Sequence, residues 1–174
     1  MSKILVNTIG HTGDTTAMTI DSGGLVSQPT KPFFQISKLA SSGQGGANGH
    51  LSFNTIHENQ GSDWDTSNHY FVAPVNGVYQ FNLLGFSCNS NGGLRSATAS
   101  TSLNLEVYTS GSWVIEAQVY AIAQSSDYHI PLNASHTTKL SAGDKFRYNV
   151  TNGYLYYNND ATYRYLSASG FMVG

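Results

Sequence analysis

The sequence predicts an all-β chain folded as a two-sheet sandwich, and three observations carry that expectation. No segment of the 174 residues sustains a 3.6-residue apolar period, while period-two alternation recurs along most of the chain. The run Phe71-Val72-Ala73-Pro74-Val75-Asn76-Gly77-Val78-Tyr79-Gln80-Phe81 reads as a strand, a Pro/Gly corner and a second strand. Pro74 interrupts a hydrogen-bonded ladder, Gly77 supplies a conformation that residues with a Cβ adopt at a cost, and Tyr79, Phe81 and Leu83 recur on one face. Turn signals then divide the chain into about eight to ten strands.

In chain order, Lys3 to Ile9 fits a short strand, and Ala17 to Ile20 with Leu25 to Ser27 fits a small hairpin around Asp21-Ser22-Gly23-Gly24. Gln28 to Pro32 is a stiff linker, so the chain divides into an N-terminal segment, 1–32, and a head, 33–174. So short a segment cannot bury a core alone and needs a partner surface. Ser41 to Gly49 is a Gly-rich loop inserted in the head, with no helix after it to make a phosphate cradle. After the strand Val78 to Phe86 come Leu103, Leu105 and Val107, the turn Thr109-Ser110-Gly111-Ser112, and the strand Trp113 to Ala123, a hairpin by its spacing. Tyr128 to Leu132 reads as a strand, Phe146 to Val150 as the next, Asn152-Gly153 as a hairpin turn, and Tyr163 to Val173 as a closing strand placed centrally in a sheet.

Several of these pieces carry a resemblance. The corner Phe71 to Phe81 resembles the signature of the globular head of the first complement component and of the tumour-necrosis-factor-like jelly rolls. Phe53 to Gly61 with Trp64-Asp65, Leu140-Ser141-Ala142-Gly143-Asp144-Lys145-Phe146 and Ser167-Ala168-Ser169-Gly170-Phe171 are similar to further motifs of that family, in the same order. The resemblance covers about Phe33 to Gly174 and implies a jelly roll and a homotrimer. Departures are the absence of a Gly-x-y stalk, Trp64 where the family usually has tyrosine, and a single cysteine. Upstream, Asn7-Thr8-Ile9 and Gly13 to Gly24 resemble the segments that open many tailed-phage fibre and capsid-appendage proteins.

Charged residues make up 10% of the chain and the formal net charge is −2. Lys3, Lys31, Lys38, Arg95, Lys139, Lys145, Arg147 and Arg164 are scattered, which argues against a nucleic-acid partner. Lys145 and Arg147 on one strand face read as a solvated edge, and Cys88 as a buried structural thiol. No apolar run fits a secretion signal or a membrane span, so the expectation is a chain folded in the host cytoplasm and delivered to a virion, without membrane insertion.

Catalytic patterns are sparse. His11, His50, His57, His69, His129 and His136 lack metal-ligand spacing, and no nucleophile elbow, P-loop or dinucleotide fingerprint occurs, so no enzyme and no cofactor is expected. Asp63 and Asp65 around Trp64 offer hard oxygens that suit Ca²⁺, although Asp, Ser and Asn are equally the ordinary residues of turns.

Aromatics are in excess. Tyr79, Phe81, Tyr120, Tyr154, Tyr156, Tyr157, Tyr163 and Tyr165 are candidates for an oligomer interface or a ligand face, and Ile4, Val6, Ile9, Met18, Ile20 and Leu25 for a virion anchor. The functional expectation is a non-enzymatic virion protein, a trimeric capsid decoration or head fibre anchored to other virion proteins by its N-terminus. The alternative is a tail-fibre protein that recognises host cell-surface glycan.

Overall fold

The described residues of the computed structural model, 7–10, 16–28, 31–40, 44–94, 99–123, 129–160 and 162–173, contain sixteen strands and no helix. β1 (Thr8–Gly10), β2 (Thr16–Ile20) and β3 (Val26–Ser27) form a small antiparallel sheet of their own. The head follows with β4 (Phe33–Ser37), β5 (Gln44–His50), β6 (Thr55–Gln60), β7 (Trp64–Asp65), β8 (Tyr70–Val72) and β9 (Gly77–Leu84). It continues with β10 (Phe86–Cys88), β11 (Ser100–Thr109), β12 (Ser112–Ile122), β13 (Ile130–Pro131), β14 (Ala134–Leu140), β15 (Lys145–Asn158) and β16 (Ser167–Met172).

Two antiparallel sheets face each other. One has the order β14-β9-β16-β4-β6, with the closing strand β16 in its middle as expected. The other runs β12-β11-β15-β10-β13, and β15 also pairs with β5 and β8. The period-two residues that predicted strands turn inward: Tyr79 and Phe81 from β9, Phe34 and Ile36 from β4, Leu103 and Leu105 from β11, and Phe146 and Tyr148 from β15 are essentially inaccessible. Phe81 and Phe146 join the two sheets, their rings stacked 3.7 Å apart at an interplanar angle of 4°. Phe71 packs edge-on to Phe81, and the Tyr148 hydroxyl donates to the Asn82 carbonyl (2.8 Å).

The Pro/Gly corner and the Gly-Asp turn, separated in sequence, hold each other. Ala73 N–H donates to the Asp144 carbonyl (2.9 Å), Gly143 N–H to the Ala73 carbonyl (2.8 Å), and Ala142 N–H to Asn76 Oδ1 (2.8 Å). The left-handed glycine of this junction is Gly143 (φ 90°), whereas Gly77 has an ordinary strand conformation. Trp64 is fixed in a similar manner: Asn59 Oδ1 accepts from Trp64 N–H (2.9 Å) and Asn59 Nδ2 donates to the Trp64 carbonyl (3.1 Å).

Four further local expectations are corrected. Asn152-Gly153 is no hairpin turn, because β15 continues through it for fourteen residues. Gly153 (φ 76°) instead lies in an irregular stretch of that strand, where the ladder to β11 skips Thr151 and the ladder to β5 shifts register between Val150 and Leu155. Gln44–His50, inside the expected loop, is a strand paired with β15, while residues 41–43 lie outside the described set. Ala134–Leu140, which carries little alternation of apolar residues, is a seven-residue strand bound to β9. Lys145 and Arg147 are no solvated edge, since β15 is interior to its sheet and both side chains lie half-buried among aromatic rings. Arg95 and Tyr128 lie outside the described residues.

Candidate functional site

The tyrosines do not form a single face. Tyr79 and Phe81 are at 0% exposure in the middle of the sandwich, so they are removed from the interface or ligand set: β9 lies between β14 and β16, and its odd-numbered positions all point inward. Burial pushes the Tyr79 hydroxyl pKa up, and that hydroxyl donates to the Val75 carbonyl (2.7 Å). Tyr156 is also buried, packed against His129 (4.5 Å) and edge-on to Tyr165 (5.2 Å). Tyr154, Tyr157 and Tyr165 are half-buried, with Lys38 Nζ 5.1 Å above the Tyr157 ring. Only Tyr120 (61%) and Tyr163 (60%) are widely exposed, at separate places.

Two uncovered apolar surfaces emerge that no single motif announced. The first is β12, the end strand of the larger sheet, where Val114, Ile115, Tyr120 and Ile122 are each about half or more exposed. The second is one end of the outer face of the five-stranded sheet, where Val78 of β9, Phe171 of β16 and Val173 are exposed. β12 carries apolar residues in both of its alternating sets, Ile115 in one and Val114, Tyr120 and Ile122 in the other, which was the legible signal. The second surface arises only when β9 and β16 are aligned, because its residues are spaced widely along the chain.

Between these surfaces the polar groups are mutually engaged. Glu106, 5% exposed, accepts from Arg147 Nε (2.8 Å) and Asn149 Nδ2 (2.7 Å). Arg147 lies 3.8 Å from the Trp113 ring centre, and Lys145 Nζ sits between Tyr70 (4.6 Å) and Tyr108 (5.3 Å). In the ladder between β11 and β12, Glu116 has no partner opposite, since Ala117 pairs with Leu105 and Ile115 with Glu106. Its carboxylate reaches across the open edge of the sandwich, accepting from Thr138 Oγ1 (2.7 Å) and lying 3.2 Å from His136 Nε2 on β14.

Asp65 is occupied with its turn: it accepts from the backbone N–H groups of Ser67 (2.8 Å) and Asn68 (2.9 Å) and from Asn68 Nδ2 (2.8 Å). Those bonds, led by Asn68, hold its carboxyl below the usual range, whereas partial burial raises that of Asp63. His69 (φ 58°) is held below the ordinary imidazole value by burial and then by His50 and Lys38. His57 is held below it by burial and by the nearby Arg164, its Nε2 lying 2.9 Å from Ser37 Oγ. Among the described residues no three His, Cys, Asp or Glu side chains are grouped to hold a metal ion. The arrangement is suited to packing and recognition.

Of the anchor candidates, Ile9 (47%) and Leu25 (68%) project into solvent and Met18 and Ile20 are half-buried, while Ile4 and Val6 lie outside the described residues.

No protein-family model and no curated protein matches the chain. Solved structures do. The globular domain of zebrafish complement 1qA protein aligns with a TM-score of 0.58 at 18% identity, covering 83% of this chain and 98% of that one. Eiger TNF from S. frugiperda aligns with a TM-score of 0.60 at 12% identity over 83% and 94% of the two chains, and murine APRIL with 0.60 at 7% identity over 82% and 99%. The chain therefore has the complement-head and tumour-necrosis-factor-like jelly-roll fold.

Proposed function

We propose that this chain is a non-enzymatic building block of a tailed-phage virion, a homotrimeric head carried on an N-terminal attachment segment as a capsid decoration or head fibre. The observation that carries the trimer is the pair of uncovered apolar surfaces on different elements, the strand β12 and the Val78-Phe171-Val173 end of the five-stranded sheet. Unlike patches favour a head-to-tail contact, and such contacts leave no exposed remainder when they close into a ring. Covering about 800 Å² per partner is the ordinary scale of a stable interface.

Attachment is supported by the segment before Phe33. Among the described residues β1 to β3 pair only with one another, expose Ile9, Leu25 and Val26, and meet the head through few polar bonds. These include Gln60 Nε2 to the Gln28 carbonyl (3.3 Å) and Lys31 Nζ to the Val173 carbonyl (3.3 Å). The virion assignment rests on the resemblance of Asn7 to Gly24 to phage appendage segments.

Sedimentation equilibrium of the full chain tests the assembly. The expected mass is three times the 18.7 kDa of one chain, and Ile115→Lys with Ile122→Lys lowers it while the far-UV spectrum is kept. A monomer at micromolar concentration overturns the reading. Removal of residues 1–32 is expected to leave a trimeric head that no longer joins the particle, and cryo-electron microscopy density at the tail in place of the capsid would refute the decoration role.

A further inference from the structure

At the end of the five-stranded sheet opposite Val78, two adjoining grooves share Leu84 and Ser167. Leu84 lies six positions along β9 from Val78, roughly 20 Å of strand, so this region is distinct from the apolar end assigned to subunit packing. The larger groove, about 450 Å³, is walled by Phe86, Tyr163 and Tyr165. Phe86 packs on Tyr165 at 6.2 Å, and Tyr163 lies 6.0 Å from Tyr165, with its ring left 60% exposed. Arg164, also in the lining, makes no hydrogen bond or ion pair with the described residues. The smaller groove, about 290 Å³, is lined by Gln35, Asn82, Asn133, Ser167 and Ser169. Gln35, Ser167 and Ser169 have no side-chain hydrogen-bond partner among the described residues.

We propose that this trough binds an acidic oligosaccharide, with the ring of a carboxylated sugar against Tyr163, its carboxylate on Arg164, and the hydroxyls of the adjoining sugar on Gln35, Ser167 and Ser169. Each part of the trough meets a different part of that ligand. An exposed aromatic ring accommodates the C–H face of a pyranose, amide and hydroxyl side chains match vicinal hydroxyls, and a free guanidinium pairs a carboxylate through two parallel N–H donors. A nucleic acid needs a row of cations, and here Arg164 stands with His57, whose imidazole is kept neutral at pH 7 by burial and by Arg164 itself. The combined size lies within the range of small-ligand sites. A passive building block has no use for such a trough, so the inference goes beyond the assembly role.

The test uses the full assembled chain and an oligosaccharide of alternating hexuronic acid and N-acetylhexosamine, with its carboxyl-reduced form and acetate as controls, followed by calorimetry and tyrosine fluorescence. Saturable binding of the acidic form is expected, with the reduced form at least about tenfold weaker, the scale of one charge-assisted pair. Arg164→Ala is expected to lose a similar factor, Arg164→Lys to keep part of it, and Tyr163→Ala to weaken binding severalfold. Both positions are exposed, so the variants keep the fold. Equal binding of the neutral form, an unaffected Arg164→Ala, competition by acetate at the same concentration, or no saturable binding would each overturn the assignment. Sedimentation mass is recorded for the same samples, so a failed site and a failed assembly are told apart.

Discussion

Gly170 offers a stringent test of the core. On β16 it lies between Phe34 of β4 and Phe81 of β9, each its direct ladder partner, and it faces inward. A Cβ placed there comes within 2.7 Å of both Phe34 Cζ and Phe81 Cδ1, and closer still to Phe34 Cε1, where ordinary carbon contacts are about 3.5–4.0 Å. Neither ring can retreat cheaply: Phe34 packs on Trp64 at 4.9 Å and on Phe71 at 5.6 Å, and Phe81 is stacked on Phe146 at 3.7 Å. Overpacking costs about 1–3 kcal/mol, and with two rigid neighbours the upper end is expected. Reduced freedom of the unfolded chain returns about 0.4–1 kcal/mol, leaving Gly170→Ala destabilised by about 2 kcal/mol. For a chain of this length that lowers Tm by about 4–8 °C. Urea unfolding at one fixed protein concentration is the assay, since the proposed assembly would make stability concentration-dependent. Phe34→Ala alone costs about 3–5 kcal/mol. Because it removes the ring that the new methyl meets, the double variant is expected to fall short of the additive loss by at least about 1 kcal/mol. Gly170→Ala as stable as the native chain, or strict additivity, would refute the packing account.

Three other perturbations separate causes that the structure keeps distinct. Gly153→Ala adds a left-handed Cβ 3.0 Å from the Ser100 carbonyl oxygen and from Thr101 Cβ, whereas Gly111→Ala at φ 89° meets nothing within 4 Å. Conformation alone costs about 1–2 kcal/mol, so calorimetry should show Gly153→Ala lowering Tm more than Gly111→Ala, and equal losses would show that crowding is relieved. Arg147→Met should destabilise more than Glu106→Gln, because it leaves a nearly inaccessible carboxylate without its cation while the converse leaves an Arg147 side chain that is 22% exposed and stacked on Trp113. About 3 kcal/mol against about 1.5 is expected in urea titrations, and the reverse order counts against the pairing. His57 and His69, both held below the ordinary imidazole value of 6.5, bind fewer protons folded than unfolded as pH falls through that value. Their contribution is therefore complete above about pH 6.5 and lost toward their lowered folded values, so unfolding midpoints should fall as the pH drops below about 6.5. His69→Asn, which tolerates the left-handed backbone, should flatten that fall; an unchanged slope removes His69 from the account.

Much of the fold was legible because its signals are local. Tyr79, Phe81 and Leu83 alternate within one strand, and Ser110-Gly111 marks a turn by its own chemistry, both residues taking positive φ. The family-like motifs also acquire causes: the Pro/Gly corner and the Gly-Asp turn bind each other, and the Gly of the Ser-Gly-Phe strand leaves room for two phenylalanines. What was not legible depends on partners distant in sequence. Asn152-Gly153 has hairpin chemistry, and Gly153 does take the left-handed conformation, but pairing of β15 with β11 and β5 before it and with β5 and β10 after it keeps the chain running on as one strand. Lys145 and Arg147 look like edge residues until the rings of Tyr70, Tyr108 and Trp113 are brought over them. Of the candidate trough only Tyr163 and Tyr165 were singled out from the sequence, because Gln35, Leu84 and Tyr163 meet only once β4, β9 and the segment before β16 are assembled.

The edge strand β12 supplies a physical reason for the proposed association. Its eleven residues contain no Lys, Arg or Pro, and its one charge, Glu116, is turned across the sandwich to Thr138 and His136. Beyond that inward-turned charge and the ladder irregularity beside it, the strand carries no charge or proline to guard Val114, Ile115, Tyr120 and Ile122, which are exposed. In a lone subunit such an edge is a template for uncontrolled pairing. A neighbour that lays its own Val78, Phe171 and Val173 against this strand hides it without extending the sheet, and a closed ring leaves no unpaired copy. On this reasoning Glu116 has two tasks, sealing the sandwich and leaving the outer side of β12 apolar. Glu116→Gln is accordingly expected to loosen the β12–β14 edge within a subunit while leaving the sedimentation mass of the assembly unchanged.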